Sequence, residues 1–521
     1  MGNNQSTSAV RMTCHKLFFI LIFLLGISVR VWQFGAIPAG LNVDEASSAV
    51  DSYYVLHYGM DRNGVSYPIQ FIMYGSGQSS LHEYLLLPFV AFGLSTINIR
   101  LPMLLGAILT LPLFYFTARR VAGRRYALIA MFLLAISPWH IMMSRWALND
   151  NLLPVFFLAG FLCLLKSSRD NYWFIASCTL FAICFYAYGS SYAAVPVFLL
   201  IAVPILLRFR RLSILKTILG IGILTLLSIP ILLFIRMNLL GLDAIHLGPF
   251  TIPRFPIRPA YESLSALYAN NPLRLIAGNL LVTLNLLITQ TDGLIWNAIP
   301  QYGYFYKYTF PIELIGFIML IARKQKDQRI EKWMVAAWIV GALFIGIQLQ
   351  VNINRINLIF LPLLLCSAFP LEWLAQQSKP AFLAALCIFF VAFIFFVRDY
   401  FGAEYQNEIG QEFSAGFLPA IDFATHSGTG PICASDEVNM PYIYALIAEK
   451  PNPQDFLRTV KYTHPVGMKR PVRSFGRYIF GLNYCEAEPD TIYVLGDNEL
   501  PPQAPAGYKE TSFGYFNVYT P

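Results

Sequence analysis

Charge is scarce in this chain. Of its 521 residues only 13% are Asp, Glu, Lys or Arg, and 56% are hydrophobic, whereas an ordinary soluble protein carries roughly 25% charged residues. That shortage excludes a soluble globular protein and leaves a chain that crosses a membrane many times. Zinc-finger spacing, a P-loop and a glycine-rich dinucleotide fingerprint are also missing. The net charge of +8 sits in short basic loops between hydrophobic runs, so it reports topology rather than a nucleic-acid partner. Acids are nearly absent inside the runs, which argues against a transporter or flippase with ionisable residues at the bilayer midplane.

What is present is a long series of apolar runs. Residues 17–31 follow Arg11 and Lys16, and Arg30 and Trp32 are poor flanks for a signal-peptide cleavage site. The run therefore reads as an uncleaved first helix that leads outward. Leu81 to Leu94 is too short for a bilayer that needs about 20 residues. Laying it along the interface puts the basic loop Arg119, Arg120, Arg124 and Arg125 inside, where positive charge belongs. The other basic loops, around Lys166 and Arg169, Arg208 to Arg211, and Arg323 to Arg329, then fall inside as well. Parity makes Arg274 to Ile288 an interfacial or partly embedded helix. The expectation is a polytopic α-helical membrane protein with about eleven spans, its amino terminus cytoplasmic and its carboxyl terminus outside, in a plasma membrane. The membrane domain covers residues 1–399, with long external loops at 34–99 and 236–308.

Composition changes after Arg398, and residues 400–521 read as a small extracytoplasmic α/β domain. Short strands are expected at Gly430 to Ser435, Asp490 to Gly496 and Phe513 to Tyr519, with a helix at Tyr442 to Lys450. Of the eight cysteines, Cys433 and Cys485 both fall in this domain, where a disulfide is chemically permitted.

The stretch around which the chain is organised is Gly40 to Tyr54, with adjacent carboxylates at Asp44 and Glu45 just after the first span. Asn42 followed by Glu45 has the form of a capping box, and acids in the first turn suit the helix dipole. The helix should run to about Tyr58 and stop at Gly59. This structural reading accounts for Glu45 well and for Asp44 adequately. The functional reading makes Asp44 a base in a cavity at the membrane surface.

The topology collects a wider set of polar residues on the same face. Gln78-Ser-Ser-Leu-x-x-Tyr84 turns into an apolar stretch, and Arg100-Leu-Pro opens the next span. Ser137-Pro138-Trp-His-x-x-x-Ser144-Arg145 with Asp150 forms the second external loop, and Asn354-Arg355 precedes Pro362. In order and topology these residues resemble the GT-C superfold of integral membrane glycosyltransferases, over about residues 15–400. They are most similar to glycosyltransferase family 39, the branch of protein O-mannosyltransferases and the lipid A aminoarabinose transferase.

The resemblance implies an inverting transfer of a sugar, hexosyl or pentosyl, from a polyprenyl-phosphate donor lying in membrane lipid. The acceptor is a hydroxyl on the outer face, on protein, lipid or cell-envelope glycan. Asp44 is the expected base, assisted by Glu45, with Asp150 as a candidate second acid. Arg100, Arg355, Arg145 and Gln78 are the candidate contacts to the donor phosphate. Some family members use a divalent metal, for which Glu45, Glu83, Asp150 and His246 are the candidate ligands, although no close ligand spacing supports one. The sequence departs from the aminoarabinose branch at Gln78, where that branch typically has lysine. A lipid-linked sugar transporter and a polysaccharide polymerase or ligase are the alternatives.

Overall fold

The structure is a computed structural model that describes residues 2–73, 76–167, 172–256, 265–266, 269, 271–322, 329–463, 471–486, 489–501 and 507–521. Arg169 and most of the basic 323–329 loop lie outside these residues. The chain divides into two compact units. One gathers Met1–Phe34, Met103–Ile229 and Ala260–Tyr400; the other gathers Gly35–Pro102, Pro230–Pro259 and Phe401–Pro521. Nearly all of the 34–99 loop thus groups with the C-terminal segment rather than with the membrane helices.

Among the described residues nine helices are long and apolar enough to cross a membrane. Eight of them answer to expected spans. Three further expected spans form shorter helices, Arg124–Ala135, Tyr172–Ala187 and Phe310–Ala322, so length alone does not support a count of eleven. The ninth is Pro272–Thr289, expected to be interfacial or partly embedded. On it Leu273, Leu281, Leu284 and Ile288 are exposed while Asn279 and Thr283 are buried. Asn279 donates to the Ile347 carbonyl at 3.2 Å. Apolar outside and polar inside is the arrangement of a helix in contact with lipid, which suits a partly embedded helix.

Small residues let the membrane helices approach closely, as expected where lipid supplies no hydrophobic drive between them. A Cβ on Gly316 would fall 2.0 Å from the Cys366 carbonyl oxygen, and one on Gly341 2.9 Å from that of Ala194. These contacts bring Phe310–Ala322 against Phe360–Gln377, and Arg329–Gln348 against Ser191–Arg208.

The second unit is built on a seven-stranded mixed sheet. Its spatial order is Lys509–Phe513, Phe516–Thr520, Ile492–Gly496, Ile432–Ala434, Tyr478–Phe480, Val472–Phe475 and Lys461–Tyr462. The central Ile432–Ala434 strand is fully buried and runs parallel to both neighbours, and every other pairing is antiparallel. Burial on both faces explains why 432–434 reads as an unbroken apolar run. Cys433, on that strand, is bonded to Cys485, with the two Cα atoms 6.0 Å apart. The first loop adds a helix, Val43–Tyr58, and a hairpin, Gln70–Met73 with Ser76–Ser79. The 230–259 segment adds the hairpin Ile245–Leu247 with Phe250–Ile252, joined to the loop where the Ile69 amide donates to the Thr251 carbonyl at 2.9 Å.

Candidate active site

The Val43–Tyr58 helix starts as its sequence dictates. Asn42 Oδ1 accepts from the Asp44 amide at 2.9 Å, and Glu45 Oε2 accepts from the Asn42 amide at 3.0 Å, which closes the capping box. Gly59 ends the helix at φ 69°, a left-handed turn that glycine enters without cost.

The two adjacent acids are treated in opposite ways. Glu45 is fully buried and takes two charged bonds from Arg100, Nε to Oε1 at 2.7 Å and Nη2 to Oε2 at 2.8 Å. Arg100 spends its remaining donors on the carbonyls of Pro38 at 2.9 Å, Gly40 at 2.8 Å and Gly35 at 3.5 Å. Both side chains of this pair are fully enclosed. Breaking such a buried, hydrogen-bonded pair from one side typically costs about 3–5 kcal/mol. Asp44 is half-buried, and among the described residues its carboxylate has no hydrogen-bond or ion-pair partner. Burial, and then the neighbouring Glu45 charge, raises its pKa from 3.8 to about 6. Asp44 is therefore ionised at neutral pH yet more basic than an ordinary aspartate.

One turn after Asp44, on the same helix face, Ser48 links the neighbouring hairpin and helix to this site. Gln78 Nε2 donates to Ser48 Oγ at 2.9 Å, and Ser48 Oγ donates to Glu83 Oε1 at 3.0 Å. Gln78 and Glu83 are buried here. The helix that bears Glu83, Ser80–Val90, falls in the stretch expected along the interface; it buries His82 and Glu83 and exposes Leu85.

Two further arginines behave differently from expectation. Arg100 has no donor left for a phosphate, because Glu45 and three carbonyls use all of them; it positions the loop instead. Arg145, in the membrane unit, is buried and caps the end of the first helix. It donates to the carbonyls of Val29, Arg30, Trp32 and Gln33 at 2.7–3.2 Å, where the helix dipole favours a cation. Its two terminal nitrogens are thereby committed to the backbone. Arg355 is the exception. It is exposed, donates from Nη1 to the Gln350 carbonyl at 3.0 Å, and its other guanidinium donors have no partner among the described residues.

The candidate metal ligands do not assemble. Among the described residues no three His, Cys, Asp or Glu side chains gather as a cation would require. Glu45 is spent on Arg100 and Glu83 accepts from Ser48. His246 stands exposed on its hairpin with Nδ1 3.0 Å from Thr251 Oγ1. Asp150 is buried in the membrane unit, in the turn Asn149–Leu152, whose Asp150 carbonyl accepts from Asn357 Nδ2 at 2.8 Å. This donor set does not fit a divalent ion.

Sequence reasoning passed over Arg62. It is buried, pairs with Asp51 at 2.7 Å, and donates to the Ser47 hydroxyl at 2.7 Å and carbonyl at 3.2 Å. The available signal was an isolated arginine in Asp61-Arg62-Asn63, facing an acid one helix away that had no other cation to pair with.

Known proteins support this architecture. Residues 20–246 match the family model described as dolichyl-phosphate-mannose-protein mannosyltransferase. No curated protein matches the sequence. ArnT from Cupriavidus metallidurans in the apo state has 13% identity and a TM-score of 0.56, with 98% of each chain covered. The same protein bound to undecaprenyl phosphate gives 0.55 at 13% identity, over 98% of this chain and 97% of that one. The archaeal oligosaccharyltransferase AglB from Archaeoglobus fulgidus, in complex with an inhibitory peptide and a dolichol-phosphate, gives 0.52 at 12% identity, over 84% of this chain and 64% of its own. The chain is a multi-pass membrane protein with the GT-C fold of the ArnT and AglB structures, and it resembles glycosyltransferase family 39 through its match to the mannosyltransferase model at residues 20–246.

Proposed function

We propose that the protein transfers a sugar from a polyprenyl-phosphate donor to an acceptor hydroxyl, with inversion, and that Asp44 is the base. The acceptor oxygen attacks the anomeric carbon, the bond from that carbon to the phosphate oxygen breaks, and the acceptor proton passes to Asp44. The observation that carries this reading is the contrast within one helix turn. Glu45 is pinned by Arg100, while Asp44 is left without a partner and with its pKa raised to about 6. A base works best when its pKa lies near the operating pH and it is still ionised there.

The leaving phosphate gains negative charge as the bond breaks, so a cation that holds it stabilises the transition state more than the ground state. Arg355 is assigned this role because it keeps open donors, and guanidinium can grip two phosphate oxygens at once. The match to a mannosyltransferase family model and the fold shared with a protein bound to undecaprenyl phosphate support the donor class. Burial of Glu45 and Arg100 makes both of them positioning residues. Asp150 keeps its candidacy as a second acid only within the membrane unit.

The second unit supports an assignment of orientation. A folded unit with a mixed sheet does not straddle a bilayer, so the first loop, the 230–259 segment and the C-terminal segment share a side, which we assign as extracytoplasmic. Among the described residues, six helices of ten residues or more lie between the first loop and residue 240, an even number, and five between the 230–259 segment and Phe401. A return to the same side therefore requires that one of those five does not make a net crossing, and the partly embedded Pro272–Thr289 is the candidate.

The test is transfer of radiolabel from polyprenyl-phosphate sugars to a membrane extract by purified protein. Asp44→Asn should lower turnover by about 10²- to 10⁴-fold, the range for a positioned base. Equal transfer by wild type and variant would remove Asp44 from the mechanism.

A further inference from the structure

The backbone just ahead of Asp44 is held by a segment some 400 residues away, within the same unit. The Ala39 amide donates to Gln406 Oε1 at 2.9 Å. The Leu41 amide donates to the Phe413 carbonyl at 3.0 Å, and the Tyr444 hydroxyl donates to the Leu41 carbonyl at 2.8 Å. Between them Gly40 lies at φ 82°, and a Cβ there would come within 2.5 Å of the Phe413 carbonyl oxygen. Only glycine lets these two backbones meet.

The other side of Asp44 is held in the same way. Arg62 grips Ser47 and Asp51 and also lies beside Tyr442 of the C-terminal segment, whose hydroxyl it influences electrostatically. The Tyr442–Glu449 helix packs along Val43–Tyr58. Tyr444 is 1% exposed and the Leu41 side chain 4%, so these bonds are shielded from competing water. None of them touches the Asp44 carboxylate. The arrangement fixes the start of the helix on both sides and leaves the working group open.

We propose that the C-terminal segment is a positioning element of the Asp44 site, with Tyr444 as its principal positioning residue through Leu41. The inference rests on the reading of Asp44 as the base. A base must sit within about 2.6–3.2 Å of the proton it removes, and a displacement of about 1 Å can cost on the order of a hundredfold in rate. The C-terminal segment therefore governs turnover rather than affinity for the donor.

The experiment compares Tyr444→Phe, which removes one hydroxyl, with Tyr508→Phe in the purified full-length chain. Tyr508 also donates its hydroxyl to main-chain carbonyls of the C-terminal segment, those of Pro489 and Thr491 at 2.9 and 3.0 Å, but far along the chain from any contact to residues 39–51. Tyr444→Phe should lower kcat about tenfold, the equivalent of one lost buried hydrogen bond, with the donor KM unchanged. Tyr508→Phe should leave both within twofold of wild type. Turnover of Tyr444→Phe within twofold of wild type, or an equal fall in Tyr508→Phe, overturns the inference.

Hydrogen–deuterium exchange of the 39–46 backbone gives a readout that needs no turnover. Exchange there should quicken severalfold in Tyr444→Phe and not in Tyr508→Phe; the same exchange in both overturns the inference. Asp44→Asn, assayed alongside, separates the two claims. Full activity in that variant removes the base reading. Its loss, together with wild-type turnover and exchange in Tyr444→Phe, removes the positioning inference alone.

Discussion

A base kept partly out of water and beside another carboxylate works against the fold, and that cost can be measured. Asp44 has its pKa raised from 3.8 to about 6, so the folded chain holds this proton more tightly than the unfolded chain. Below pH 3.8 the group is protonated in both states and costs nothing. Between that pH and about 6 the unfolded state ionises first, and stability falls; above about 6 the full penalty applies. At about 1.4 kcal/mol per pH unit the gap amounts to at most about 3 kcal/mol, and less because water reaches a half-buried carboxylate. Asparagine has no charge to lose and escapes the penalty. It does give up a favourable charge at a helix start, worth about 0.3–1 kcal/mol.

The desolvation effect is the larger, so Asp44→Asn should be more stable than wild type at pH 8 and equal to it near pH 4. Thermal unfolding of both proteins across this range, in one detergent, is the assay. The difference in Tm should open between pH 4 and 6 and then stay constant, at no more than a few degrees for a chain of this size. A difference that does not change with pH, or a variant less stable than wild type at pH 8, would refute the reasoning and return Asp44 to a plain helix-start role.

Three other outcomes follow from the geometry. Glu45→Gln and Arg100→Met, each removing one partner of an enclosed ion pair, should cost about 3–5 kcal/mol; loss of stability and expression, rather than a raised donor KM in folded protein, is the result to look for in denaturation and kinetic assays. Arg355→Gln removes an exposed guanidinium with a single hydrogen bond, so thermal stability should hold while kcat falls about tenfold, as for one charged phosphate contact that strengthens in the transition state; an unchanged kcat would clear Arg355 of that role. Gly40→Ala and Gly93→Ala both force alanine into positive φ, at 82° and 107°, but only Gly40 faces a backbone, and a Cβ at Gly93 meets open space. The Gly93 variant should lose about 1 kcal/mol and the Gly40 variant clearly more, and similar Tm values for the two would mean that the Phe413 contact yields.

The lesson of the arginines concerns donors rather than charge. In the sequence Arg100, Arg145 and Arg355 are equivalent: each is expected at the outer end of an apolar span. What separates them is which carbonyls and carboxylates reach them first. Glu45 claims Arg100 across 55 residues, and the carbonyls at the end of the first helix claim Arg145. Arg355 finds only the nearby Gln350 carbonyl and stays available. For the same reason Ser80–Val90 buries His82 and Glu83: which face of a helix is covered depends on what packs behind it.

Features that depend on near neighbours were determined by the sequence alone. The capping box at Asn42 and Glu45, the stop at Gly59, most of the apolar spans, and the strands at 432–434 and 492–496 follow from groups within a few residues of each other and from the periodicity of burial. The membrane class follows from composition, because a chain with so little charge cannot clothe its surface in water. Tertiary structure decided which of two adjacent acids is free, which arginine keeps open donors, and that the C-terminal segment frames the Asp44 helix. Each of those outcomes depends on hydrogen bonds closed over long separations, up to 403 residues between Leu41 and Tyr444. A side chain's chemistry there is set by the partners that reach it, and those partners are assembled only when the chain folds.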